Sequence, residues 1–222
     1  MYKLEILKKM QNILVIGANG TTGRLISKIL RDSSDFKPFA MIRKETQKPF
    51  FENQGIETRH GDLEEDFTSA FKGMDKVIFA AGSGGTGGDE KTIAVDQKGA
   101  IKAVELAKAH KLQKFVMLSS MGTDNPSQVE GLEQYLKSKK AADDFLRESN
   151  VVYTIVQPGG LTDKKGTEKV ELAHKLKKMG EIPREDVAHT LVYALELERA
   201  KNSSFEVVSG NDDLKQSIKN YK

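Results

Sequence analysis

Residues 12–24 read NILVIGANGTTGR, a short apolar run that passes directly into Gly17, Gly20 and Gly23. Ile13–Ile16 has the composition of a buried strand. Beyond the glycines, Leu25, Ile26, Ile29 and Leu30 fall on one helical face, so Thr22–Leu30 reads as an amphipathic helix. A strand that turns this tightly into a helix opens a β-α-β unit, whose helix covers one face of a parallel sheet. Each glycine has a job in such a turn: Gly17 permits the sharp corner, Gly20 lets backbone approach a bound group, and Gly23 lets the helix pack close to the strand. By itself the turn has two readings, a phosphate-binding loop or a tight corner with no ligand.

The pattern continues along the chain. Strand-like runs at Phe36–Ile42, Gly55–Arg59, Lys76–Ala80, Lys114–Leu118, Val151–Val156 and Phe205–Val208 alternate with helical stretches at Glu45–Asn53, Glu64–Phe71, Glu90–Ala109, Gly131–Ser149 and Glu185–Leu197. Glu168–Lys178 is expected as a polar helix. Strands alternating with helices specify an α/β fold: a doubly wound, mostly parallel sheet with helices on both faces. The expectation is a single Rossmann domain over residues 1–222, with residues 1–11 as an N-terminal extension.

Several classes of function are disfavoured. The 35 basic and 32 acidic residues nearly balance, which argues for no nucleic-acid partner. There is no cysteine, and the four histidines show no ligand spacing, so no metal site is expected. No apolar run reaches membrane-spanning length, and MYKLEILKKMQ lacks the apolar centre of a secretory signal; a cytoplasmic protein is expected. Nothing in the pattern selects an oligomeric state.

In an open parallel sheet, ligands bind beyond the C-terminal ends of the strands. The loop Gly82–Gly88 (GSGGTGG) follows a strand there. The flanking strand, the helix and the next strand favour the dinucleotide reading of the glycine turn, with a pyrophosphate at the helix N-terminus. The second strand ends in Arg43–Lys44, 20 residues after Gly23, where NAD-binding chains place a carboxylate. An arginine forks onto a 2′-phosphate, so the expected cofactor is NADP(H). The alternative for Arg43 is a solvated loop residue. Asp62, in RHGDLEED, is placed to accept from an adenine amino group, or else to cap a helix.

YLKSK puts Tyr135 and Lys139 four residues apart on one helical face. A tyrosine hydroxyl can exchange a proton with a substrate oxygen while hydride moves, and a nearby ammonium favours the phenolate and can hold the nicotinamide ribose. FVMLSSMG ends the preceding strand in Ser119 and Ser120, and a serine there can polarise the same oxygen. The bland alternative is a solvated pair on a lysine-rich helix.

Taken together, GANGTTG, Arg43, GDL, AAG, LSS, Tyr135-x-x-x-Lys139, YTIVQPGGL and IPREDVAHTL resemble the short-chain dehydrogenase/reductase superfamily. The likeness is to its atypical NADP-binding branch, which includes bacterial epimerase/dehydratase-like proteins, with biliverdin/flavin reductases and NmrA-like sensors as more distant kin. The resemblance implies that Gly17, Asn19, Gly20, Thr21, Thr22 and Gly23 hold the pyrophosphate, Arg43 the 2′-phosphate, and Asp62 and Leu63 the adenine. It places Ala80, Ala81 and Gly82 along the ribose and Pro158 beside the carboxamide. It makes Tyr135 and Lys139 the catalytic pair, also touching cofactor, with Ser120 as helper. Fuller branches carry Asn on the long helix where this chain has Asp96. Residues 157–222 are too few for the substrate domain of a nucleotide-sugar enzyme and form a small C-terminal, substrate-side part. A small ligand beneath Gly82–Gly88 and Gly159–Gly166 is implied instead. Lys164 and Lys165, on the second loop, either meet an anionic substrate or are solvated. Two functions follow: an NADP(H)-dependent oxidoreductase acting by hydride transfer on a small carbonyl, quinone or flavin-like compound, or a non-catalytic NADP(H)-binding redox sensor.

Overall fold

The computed structural model describes residues 9–84, 87–196 and 201–221. A nine-stranded sheet forms the centre of the molecule. Its first six strands are β1 (Gln11–Ile16), β2 (Phe36–Ile42), β3 (Glu57–His60), β4 (Lys76–Phe79), β5 (Lys114–Leu118) and β6 (Tyr153–Pro158). They lie parallel in the order β3-β2-β1-β4-β5-β6. The order reverses between β1 and β4, and that reversal opens a crevice at the strand C-termini. On the far side, β10 (Ser203–Ser209) pairs parallel with β6, and β8 (Lys169–Ala173) and β11 (Asp212–Asp213) finish the sheet antiparallel.

Both faces of the sheet are covered, and β1 shows why. Its side chains alternate, so Ile13 and Val15 enter one core while Leu14 and Ile16 enter the other. The first core is closed by α1 (Thr21–Arg31) and α6 (Arg184–Glu196), through Ile26, Leu30, Val187, Leu191 and Leu195. The second is closed by α4 (Ala100–Ala109) and α5 (Glu133–Glu148), through Ala103, Val104, Ala107, Ala142 and Leu146. Burying an aliphatic side chain of this kind contributes roughly 1.5–3 kcal/mol, so the two cores dominate the stability of the fold.

The expected strands are all present through β6, and the departures fall on three of the helices between them and on the segment that follows β6. Glu168–Lys178 is not a helix. Lys169–Ala173 is strand β8, because Val170 and Leu172 alternate with polar neighbours and Val170 is fully buried beside β10. The expected helix at Glu64–Phe71 shrinks to one 3₁₀ turn, Thr68–Phe71. Glu45–Asn53 becomes a 3₁₀ turn followed by the short α2 (Lys48–Glu52), with Pro49 in its first turn, where proline is tolerated. The long helix at 90–109 is broken into α3 (Gly88–Thr92), a π-helical stretch Ile93–Gly99, and α4. A small parallel ribbon, β7 (Gly160–Thr162) with β9 (Glu181–Pro183), and α7 (Leu214–Asn220) have no counterpart in the sequence reading. Residues 1–8, within the expected N-terminal extension, and Leu197, expected to end a helix, lie outside the described residues.

Candidate cofactor and reaction site

The glycine turn is built as its spacing requires. Gly17 has φ +82, and a Cβ there would stand 2.5 Å from the Ala81 backbone nitrogen. A Cβ on Gly23 would stand 2.1 Å from the Gly17 carbonyl oxygen, so only glycine lets α1 sit this close to β1. The Gly20 N–H donates to the Gly17 carbonyl at 3.0 Å. No side chain caps α1 and no acidic residue occupies its first turn, which leaves a helix N-terminus suited to an anion. Asn19 accepts from the Arg24 guanidinium at 2.7 Å, and that guanidinium lies over the Phe50 ring at 4.0 Å.

A cleft of about 1060 Å³ starts at Gly17, Gly20, Thr21 and Thr22, passes Ala80, Ala81 and Gly82, and reaches Ser119, Tyr135 and Lys139. A smaller recess of about 360 Å³ shares Gly17, Gly20, Ala81 and Gly82 with it and extends to Asn19, Arg43, Asp62 and Leu63. In the recess, Arg43 Nε lies 3.9 Å from Asp62 Oδ2, and the Arg43 side chain is half exposed. Asp62 Oδ1 accepts the Glu64 N–H at 3.1 Å, so this carboxylate closes a turn and caps no helix.

Lys139 occupies the middle of the large cleft, although it is only 3% exposed. Its ammonium lies 3.0 Å from Asp96 Oδ1 and donates to the carbonyls of Ala81 and Leu118, each at 3.3 Å. Asp96 is fully buried within the π-helical stretch, and its Oδ2 accepts the Ser83 N–H at 2.8 Å. π-Helical segments recur at functional sites, and this one carries Asp96 against Gly82 and Ser83, just past β4. Burial alone would push the Lys139 ammonium down; Tyr135 and Asp96 outweigh it and hold its pKa above the ordinary lysine value. Tyr135, half-buried, has its ring 5.7 Å from the ammonium.

One turn further along α5, Asp143 extends the same column and is 1% exposed. Ser119 Oγ donates to its Oδ2 at 2.6 Å, and Gln157 Nε2 donates to the same oxygen at 3.4 Å and to Thr123 Oγ1 at 2.7 Å. Burial pushes the Asp143 carboxyl up to about 6, against the lowering effect of the Ser119 hydrogen bond. The sequence reading missed Asp143. Its signal was the spacing i, i+4, i+8 from Tyr135 through Lys139, which puts all three on one helix face.

Three residues weighed for the site stand elsewhere. Ser119 lines the cleft and Ser120 does not; the Ser120 hydroxyl donates to the neighbouring Met121 carbonyl at 3.0 Å. Consecutive residues leaving a strand point to opposite sides, so only one of the pair can face the cleft. Pro158 is buried in β6 and lies outside the walls of both recesses. Lys164 is also outside them, 76% exposed and paired with Glu181.

The profile of the NAD(P)H-binding family matches residues 17–198, from the first glycine of the loop to beyond α6. The chain belongs to this family. A relative in Bacillus subtilis, the uncharacterized sugar epimerase YhfK, is 37% identical over 211 residues, covering 93% of this chain and 98% of its own. A solved structure from Bacillus halodurans, named as a candidate NAD-dependent epimerase/dehydratase, superposes with a TM-score of 0.89 at 36% identity, over 94% of this chain and 98% of that one. Sanguinarine reductase of Eschscholzia californica is 28% identical, over 96% of this chain and 94% of its own. The NAD(P)H-binding family thus includes oxidoreductases that match nearly end to end with this chain. Among the described residues, no helix is long and apolar enough to cross a membrane, and no group of three acidic or histidine side chains is placed to hold a metal ion.

Proposed function

We propose that this protein is an NADP(H)-dependent reductase of a small carbonyl, quinone or flavin-like compound. The observation that carries the reading is that Tyr135, Lys139 and the glycine loop line one continuous cleft. The residues present fit a dinucleotide: at Gly17 and Gly23 a Cβ would overlap backbone, and the first turn of α1 holds no competing carboxylate. Gly20, Thr21 and Thr22 would hold the pyrophosphate, and Arg43, at the far end of the recess, a 2′-phosphate. Asp62 beside Arg43 is then an adenosine contact rather than a rival for the guanidinium.

When bound, the reduced cofactor supplies a hydride to the carbonyl carbon and is itself oxidised. The chain's part is the proton. Tyr135 donates its hydroxyl proton to the carbonyl oxygen, so that C=O becomes CH–OH with one hydride and one proton added. Lys139 stays charged beside the phenol and stabilises the phenolate left behind. Asp96 and the carbonyls of Ala81 and Leu118 hold that ammonium in place. Ser119, with its hydroxyl turned to Asp143, offers lone pairs to the cleft.

The same clamp on Lys139 favours a second reading. An ammonium already satisfied by three acceptors has little need of a ribose, as in an NADP(H)-binding redox sensor. One experiment separates the two. NADPH is titrated by its fluorescence, and its consumption is then followed with aldehydes, quinones and flavins for the native protein and Tyr135→Phe. The reductase reading expects turnover with at least one acceptor class, and a loss of about 100-fold or more for carbonyls in Tyr135→Phe with NADPH affinity unchanged. Tight binding without turnover supports the sensor, and equal rates in the variant refute the tyrosine mechanism.

A further inference from the structure

The large cleft is also lined by Leu161 of β7 and by Arg184, the residue that follows β9 and opens α6, and neither is among the residues assigned to the cofactor. The ribbon pairs Leu161 with Ile182 and Thr162 with Pro183, so Arg184 follows the last pair, opposite Asp163 and two residues beyond Leu161's partner.

Arg184 differs from the other cations lining this cleft. Lys139 is committed to Asp96 and two carbonyls, and Lys137 lies on the solvated face of α5, 2.7 Å from Glu133. Arg184 is 27% exposed, and among the described residues its one counter-ion is Asp163, at 2.7 Å, whose side chain is 79% exposed. An ion pair with so solvated a carboxylate is worth about 0–1 kcal/mol and yields readily to a better-held anion. The hydrogen bond to Asp163 uses one of the five guanidinium N–H groups.

The position does not serve the helix either. A cation in the first turn faces the positive end of the helix dipole, an unfavourable place. The two carboxylates that follow are turned away to other duties: Glu185 accepts the Gly166 N–H at 2.8 Å, and Asp186 accepts the N–H groups of Thr167 and Glu168 at 3.0 and 2.8 Å. The guanidinium is therefore not neutralised by its own helix. Asp89, on the opposite lip, and Glu133, paired with Lys137, are the acidic residues along the large cleft, and both lie at helix starts of their own. Leu132, 46% exposed, and Leu161 add apolar surface to the lining of the same cleft.

We infer that Arg184 anchors an anionic group on the electron acceptor, so that the substrates are apolar, ring-sized compounds bearing a carboxylate or a similar oxyanion. The apolar body rests on Leu132 and Leu161, the oxyanion takes the fork of Arg184 in place of Asp163, and the reducible group faces Tyr135. The inference rests on the reductase reading for its chemistry, but the anchor can be tested without turnover.

The probes are 4-carboxybenzaldehyde and methyl 4-formylbenzoate, which share a ring and an aldehyde and differ in charge. Their binding to cofactor-free protein is measured by ligand-observed NMR, and their NADPH-dependent reduction in parallel, for the native protein, Arg184→Leu and Arg184→Lys. The acid is expected to bind at least about tenfold more tightly than the ester, as a charge-assisted fork would give. Arg184→Leu is expected to abolish that preference and leave the ester unchanged, with Arg184→Lys in between. Equal binding of acid and ester by the native protein overturns the anchor, as does an Arg184→Leu variant that still binds the ester and keeps its preference for the acid. If the acid binds through Arg184 but neither aldehyde is reduced, the anchor stands and the reductase reading is what fails. The ester serves as the internal control for a folding defect, since a misfolded variant loses both ligands. Arg184→Lys then decides, because a folded lysine variant without any preference for the acid also overturns the anchor.

Discussion

Replacing Asp143 by asparagine should shift stability in the variant's favour, relative to the native protein, as the pH rises from acid to neutral. The Asp143 carboxyl has an ordinary value of 3.8 and is pushed up to about 6 by burial. A proton held more tightly in the fold than in the unfolded chain means that ionised Asp143 costs stability. At 1.36 kcal/mol per pH unit, the difference corresponds to about 3 kcal/mol. The sign follows from the two states. Well below pH 3.8 the carboxyl is protonated in both, and nothing is lost. As the pH rises from about 4 to about 6, the unfolded chain gives up its proton first and folding stability falls; above about 6 the loss is constant. Asparagine stays neutral throughout and keeps an acceptor for Ser119 Oγ. Its NH₂ group replaces Oδ1, which has no hydrogen-bond partner among the described residues, at a cost of about 1–3 kcal/mol. That cost does not depend on pH. The difference between Asp143→Asn and native protein should therefore move by about 2 kcal/mol in the variant's favour between pH 4 and pH 7, whatever its absolute level. Urea unfolding of both proteins at four pH values across that range measures it. A difference that stays flat with pH would refute the claim that Asp143 is forced to ionise in a dry environment.

Three further outcomes are expected. Arg43→Glu should weaken NADPH binding about 100-fold and leave NADH nearly unaffected, read by fluorescence titration, because it replaces a forked phosphate contact by a like charge. Lys139→Met should cost about 3–5 kcal/mol in urea unfolding, since it leaves Asp96 charged and buried; the double variant Asp96→Asn/Lys139→Met should recover part of that loss, which additive effects would not allow. Gly23→Ala should destabilise by about 3 kcal/mol or more and weaken NADPH binding, because its Cβ meets the Gly17 carbonyl oxygen at 2.1 Å and forces α1 off β1.

The parts of this fold that were legible in the sequence are those where a local pattern and a tertiary demand coincide. Ile13–Ile16 and the glycine spacing define β1 and its turn because the same residues set both the backbone and the packing. Strand β8 escapes the sequence reading because the four lysines of KVELAHKLKK hide its short Val170/Leu172 alternation. What makes it a strand is an edge offered by β10, a partner distant in sequence. The site shows the same division. Tyr135 and Lys139 lie one helical turn apart, so their shared face could be read from spacing. Which serine faces the cleft depends on where β5 ends, and boundaries are the least certain element of such a reading. The spacing along α5 pointed to Asp143 but not to its partners, which depend on the β5 and β6 ends packing against α5, and the surroundings of Arg184 depend on a ribbon joining residues 160–162 to 181–183.

The central claim is that cofactor and acceptor share one cleft and that hydride passes directly between them. Carbon-bound label tests this most directly. Cofactor-loaded protein is given NADPH deuterated at the transferable position and the aldehyde it reduces fastest, and the alcohol is analysed by mass spectrometry. One deuterium on the former carbonyl carbon of each product molecule is the predicted result. Alcohol formed without label, or tight NADPH binding with no aldehyde, quinone or flavin reduced, would contradict it.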